Sequence, residues 1–107
     1  MLVVTALRDS RGIYSISAEG HADYADEGFD IVCASVSTLI QALGVGLEDV
    51  LELKGVKSFI DRKTRVMSYE WDGSVEEAQT IAWTILLSIK AVAESYPDYI
   101  EVREVFR

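Results

Sequence analysis

Apolar and polar positions along the chain alternate with two different periods, and the changes of period mark out seven segments. Residues 2–8 and 13–19 are short runs rich in Val, Ile and Tyr, and Asp9-Ser10-Arg11-Gly12 between them has the composition of a hairpin turn. Two antiparallel strands are predicted. In the second, Tyr14, Ile16 and Ala18 alternate with Ser15, Ser17 and Glu19, which assigns one face to a core and the other to solvent. Residues 20–29 hold two glycines and several acids without a sustained period, and read as a loop. From Asp30, a predicted N-cap, the residues Val32, Val36, Leu39, Ile40 and Leu43 recur at helical spacing. This helix is expected to end near Gly44 or Gly46, with residues 47–51 extending it or starting a further turn.

After Gly55, residues 56–60 and 64–71 flank Asp61-Arg62-Lys63 and carry the Val, Phe, Ile, Tyr and Trp content of a second hairpin. Ser74 is predicted to cap a second helix, with Glu77 completing a capping box. Along that helix Ala78, Ile81, Ala82, Ile85, Leu86, Ile89, Val92 and Ala93 keep the i, i+3, i+4 spacing of a core face. Pro97 stops it, and residues 99–106 alternate as a last strand. The order is β-β-α-β-β-α-β. The arrangement that buries both helices is an α+β two-layer sandwich, a mainly antiparallel sheet with the two helices packed on one face.

Composition narrows the function classes. The chain has 107 residues, half of them hydrophobic and about a quarter charged, so one globular domain over 1–107 with a single core is expected. The longest apolar stretch, Ile81 to Ala93, is interrupted by Lys90 and falls short of the roughly 20 residues of a membrane span. The first residues lack the basic lead-in of a signal peptide. A soluble cytoplasmic protein without a membrane partner is expected. Eighteen acidic against ten basic residues give a net charge of −8, which repels phosphate backbones and favours a basic protein or peptide over nucleic acid as partner. One cysteine excludes an intrachain disulfide, and one cysteine with one histidine excludes a four-ligand Cys/His zinc cage. No metal or cofactor is expected.

The same two residues stand twelve positions apart in the segment from Gly20 to Ser37. With Asp30 as N-cap, Cys33 is the third helical residue, where unpaired N–H groups and the helix dipole favour a thiolate, and a neighbouring imidazolium favours it further. Gly20 and Gly28 supply hinges that let His21 return over the helix start, so a Cys/His dyad is geometrically accessible. Asp30 can orient an imidazole or simply cap the helix. The N–H groups of Cys33 and Ala34 are candidates for an oxyanion site. Ser35 and Ser37 read as local helix hydroxyls, although Ser37, one turn after Cys33, can face the same cleft. Against all of this stands a plain reading in which Cys33 is a small buried hydrophobe and His21 a surface residue.

Gly20-His21-Ala22, a spacer containing Gly28, then Asp30-Ile31-Val32-Cys33-Ala34 and Val36-Ser37 together resemble the signature of the ribosomal-processing cysteine protease family (Prp, YsxB-like). The second helix, Tyr96-Pro97-Asp98-Tyr99-Ile100 and the terminal strand extend the likeness over nearly the whole chain; Ser35 departs from it, standing where Ala or Gly is commoner. The resemblance implies a small homodimeric bacterial cysteine endopeptidase. Its substrate would be a basic ribosomal protein precursor of the large subunit, which loses an N-terminal extension so that ribosome assembly can proceed. Cys33 would be the nucleophile, His21 the general base and acid, and Asp30 the motif aspartate. The loop 22–29, with Tyr24 and Phe29, is expected to close over a bound peptide, leaving His21 and Cys33 too far apart to hydrogen-bond in the free protein. Two rival readings fit the same residues. One is other thiol chemistry, acyl transfer or redox; the other is a non-catalytic ribosome-assembly or interaction module with Trp83 and Leu87 at its contact surface.

Overall fold

A computed structural model describes residues 1–26 and 29–107, so Gly28, one of the two expected hinges, lies outside the described residues. Strands β1 (Leu2–Asp9) and β2 (Gly12–Gly20) are followed by helix α1 (Ile31–Gly44), whose axis continues through π-helical turns over Val45–Val50. Then come β3 (Lys57–Asp61), β4 (Val66–Glu70), α2 (Glu76–Ser95) and β5 (Ile100–Phe106). The strands form one sheet in the order β3-β4-β2-β1-β5. Every neighbouring pair is antiparallel except β1 with β5, which run parallel because α2 carries the chain from β4 back across the sheet to the far edge. The predicted α+β class and element order are those of the structure.

The core lies between the sheet and the two helices. Leu2, Val4 and Ala6 of β1 meet Val32, Val36, Ile40 and Leu43 of α1, with Leu47 from its extension, and Ala78, Ala82, Leu86 and Ile89 of α2. The alanines of α2 let it approach the sheet closely, while Leu39, Ile81, Val92 and Ala93 pack half-buried at the margin. In β2 the predicted alternation holds at Ile16 and Ala18 but fails at Tyr14 and at Ser15, which is buried. The register with β1 slips between Leu7 and Arg8, leaving Tyr14 as the extra residue of a bulge. Ile13 therefore joins Ile16 and Ala18 in the core, and Tyr14 is only half-buried.

The start of α2 also differs from expectation. Its N-cap is Val75, which makes no side-chain capping bond. Ser74 instead turns toward Asp72, its N–H and Oγ donating to Oδ1 at 2.9 and 2.7 Å. An Asx turn two residues upstream thus outcompetes the capping box. The helix is tied down from its first turn by Gln79, whose Oε1 accepts from Ile13 N at 2.8 Å while Nε2 donates to the carbonyls of Ile13 and Gly73 at 2.7 and 3.0 Å. Gly12 makes room for this amide: with φ of 138° it sits where a Cβ would collide with it.

Helix α1 and its extension, Ile31–Val50, form a 20-residue helical stretch of mean hydropathy 1.6, long and apolar enough to cross a membrane by length and composition. It is longer than the Ile81–Ala93 stretch because Ser, Thr, Gly and Gln41 interrupt its large apolar residues without charge until Glu48 and Asp49 near its end. Its most apolar stripe, Val32 through Leu47, is spent on the core. Strand β3 is exposed along most of its length, Phe59 and Ile60 included, and the β3–β4 hairpin forms one wall of a cleft whose other wall is α1.

Candidate active site

Asp30 organises the start of α1. Its backbone is extended, Oδ1 accepts from the N–H groups of Val32 and Cys33 at 3.0 Å, and its own carbonyl accepts from Ala34 N at 3.0 Å. The other carboxylate oxygen reaches back to the loop and accepts from Tyr24 N at 3.0 Å and Ala25 N at 3.4 Å. Partial burial pushes this carboxyl up, but the four N–H groups, Cys33's foremost, outweigh it and hold Asp30 below the ordinary carboxylate range. The predicted cap is present. The predicted oxyanion site is not, since the N–H groups of both Cys33 and Ala34 are already occupied by Asp30.

Cys33 is half-buried one turn into the helix, and its Sγ accepts a hydrogen bond from Ala22 N at 3.2 Å. That N–H is aimed by the chain's exit from β2. Gly20 has a left-handed φ of 95° and donates to the carbonyl of Arg65 at 3.0 Å, and Asp23 is left-handed again at 58°. Burial pushes the Cys33 thiol up, and the nearby Asp30 carboxylate adds to the rise; the Ala22 N–H and the charge of Arg65 pull down by less. In this conformation burial and the Asp30 carboxylate thus favour the neutral thiol, against the thiolate that a helix start by itself favours. The helix start offers its positive end, but Asp30 has already neutralised it with a negative charge beside the sulfur.

His21 is exposed and lines the same cleft as Cys33 and Asp30. Among the described residues no hydrogen bond joins it to Cys33 or to Asp30, whose two oxygens are both engaged with backbone. The three residues thus gather around one cleft without forming a linked triad. Tyr24 is turned away from it, its ring edge-on to Tyr96 and Tyr99 at centroid separations of 5.4 and 5.1 Å, and Phe29 projects into solvent. Ser35 donates to the Ile31 carbonyl at 2.6 Å, a local helix hydroxyl as expected; Ser37 faces the cleft and accepts from Gln41.

The cleft measures about 950 Å³ and runs from His21 and Cys33 along α1 to Gly44, Glu48 and Asp49. Ile60, Arg65, Met67 and Tyr69 of the β3–β4 hairpin form the opposite wall. Sequence reasoning missed this wall and the Ala22 N–H. Backbone donors leave no mark in residue identity, and a strand that lines a groove reads like one that lines a core.

A family model described as cysteine protease Prp matches residues 1–101. The ribosomal processing cysteine protease Prp of Mycoplasma genitalium is 30% identical over 87 residues, covering 81% of this chain and 84% of that protein. Its Staphylococcus aureus counterpart is 25% identical over 96 residues, covering 90% and 91%. Among solved structures, SMU.848 from Streptococcus mutans superposes with a TM-score of 0.86 at 29% identity, over 100% of this chain and 96% of the other. The essential ribosomal processing protease Prp from S. aureus, in complex with a covalently linked product peptide, gives 0.81 at 25% identity, over 98% and 100%.

Proposed function

Because this chain belongs to the cysteine protease Prp family, we propose that it is the endopeptidase that removes the N-terminal extension of a large-subunit ribosomal protein, with Cys33 as nucleophile and His21 as general base and acid. The observation that carries this reading is Cys33 itself, half-buried at one end of a peptide-sized cleft, with an N–H on its sulfur and the chain's one histidine on the same rim.

The chemistry follows from the resting state. A neutral thiol waits until a bound peptide brings His21 within reach; the imidazole then takes the Sγ proton as the sulfur attacks the scissile carbonyl. The sulfur–carbon bond forms and the carbonyl oxygen becomes an oxyanion. In this scheme the Ala22 N–H, 3.2 Å from the sulfur in the free protein, turns to that charge as its donor. His21 passes its proton to the leaving amine, the carbon–nitrogen bond breaks, and an acyl-enzyme remains. Water, deprotonated by His21, hydrolyses the thioester and restores the thiol. Asp30 acts as a positioning residue in this scheme, holding the helix start and the loop that follows His21. A cytoplasmic location, where the thiol stays reduced, belongs to the same reading.

The test is cleavage of a peptide spanning the precursor's junction. The wild-type protein is expected to cut it at one bond, and Cys33→Ala and His21→Ala to lose that activity by at least about a thousandfold and a hundredfold. Undiminished cleavage by the Cys33 variant would end the reading. A homodimer is part of the proposal, supported by the exposed apolar side chains of Leu87 and Phe106. Sedimentation equilibrium should give twice the chain mass for the wild type and a single chain for Leu87→Asp; a monomeric wild type removes this part.

A further inference from the structure

The far end of the cleft carries polar groups that the peptidase chemistry does not use. Tyr69 of β4 is only 7% exposed, yet among the described residues its hydroxyl makes no hydrogen bond. The oxygen is not sealed in the core either, because the one fully enclosed and unpartnered side-chain polar atom among the described residues is Trp71 Nε1. The phenol opens instead onto the cleft that Tyr69 lines. Gly44 permits this, since a Cβ at 44 would collide with Cζ and Oη of Tyr69. Just beyond, Glu48 and Asp49 stand exposed on the π-helical extension, and neither has an ion pair among the described residues. Burial raises the Tyr69 phenol, and the two carboxylates raise it further, so it stays protonated at neutral pH.

From this geometry we propose that Glu48, Asp49 and the Tyr69 hydroxyl form a specificity subsite for a lysine or arginine side chain of the substrate. It rests on the peptidase reading above. Two carboxylates and a phenol lone pair match the donors of an ammonium or guanidinium and would repel an acidic side chain. The position is also set. Gly44 is eleven residues along α1 from Cys33, about 16 Å at 1.5 Å per residue. An extended peptide advances about 3.3 Å per residue, so the recognised side chain lies about five residues from the scissile bond.

The experiment uses junction peptides in which a single lysine is moved residue by residue through an otherwise uncharged sequence. For the wild type, kcat/KM is expected to rise about three- to tenfold with lysine at one position, about five residues from the cut, over glutamine at the same place. In the double variant Glu48→Gln, Asp49→Asn that ratio should fall to near one, and Tyr69→Phe should lower it in part. The same peptides are titrated onto Cys33→Ala by calorimetry, where the lysine preference should reappear in Kd. A flat lysine profile, or a preference that survives in the double variant, overturns the subsite. Cysteine-dependent cleavage with a flat profile removes the subsite alone; absence of cleavage removes the peptidase reading, and the titration then still decides whether the cleft end selects a cation.

Discussion

At Cys33 two opposing effects meet within one helical turn. A helix start favours an anion, and the sequence places the cysteine in the right turn to benefit; the carboxylate that makes the turn well capped is the one that cancels the benefit. The cap was legible because Asp before a helical apolar pattern has one dominant use. The protonation state was not, because it depends first on how deeply the sulfur is buried and then on the N–H of Ala22 and the nearby carboxylate, all set by a loop without periodicity. Since the folded protein raises the thiol, alkylation of Cys33 in the free protein should have its pH midpoint above that of an unstructured thiol such as glutathione. Asp30→Asn keeps a capping oxygen and removes the charge, so the midpoint should move down. A midpoint unchanged between wild type and Asp30→Asn, measured by iodoacetamide kinetics, would show that the carboxylate does not govern the thiol.

At the scale of elements, the sequence pattern identified the five strands and two helices of the described residues: all but β3 have one face in a common core, and β3, which buries nothing there, was marked by its Phe and Ile content beside a turn. The pattern failed where a single residue breaks a period or a side chain replaces a backbone partner. The bulge at Tyr14 and the start of α2 are one such place, since both are held by the Gln79 amide, which stands in for a strand neighbour of Ile13. Ser74 and Glu77 had the right spacing for a cap, but Asp72 sits closer to the serine along the chain and takes it. Gln79→Ala would leave the N–H of fully buried Ile13 unpaired and free two carbonyls, at a cost of about 2–3 kcal/mol. Urea denaturation should show that loss with an unchanged m value. A loss below about 0.5 kcal/mol would mean that water replaces the amide without penalty.

Across the whole molecule, the net charge of −8 acts as a field before any contact forms. Cleavage of a lysine-rich substrate should therefore slow several-fold in kcat/KM between about 50 and 500 mM salt while kcat holds, as screening shortens the reach of that field. Equal rates at both salts would separate the charge from substrate capture. The parallel pairing of β1 with β5 has a kinetic consequence. Leu2 lies beside Ile100, so this ladder joins segments 98 positions apart, while the β1–β2 and β3–β4 hairpins are local. The entropy of closing so long a loop delays that pairing, and the folding transition state should hold the hairpins and helices with β5 still undocked. Ile100→Val, which trims one buried methylene at a cost of about 1 kcal/mol, should then raise the unfolding limb of a chevron plot, its slope unchanged, and leave the folding limb where it was. A slowed folding limb would put β5 in the nucleus instead; an unmoved one makes the last strand a latch whose strength sets how long each molecule survives, and not how quickly it forms.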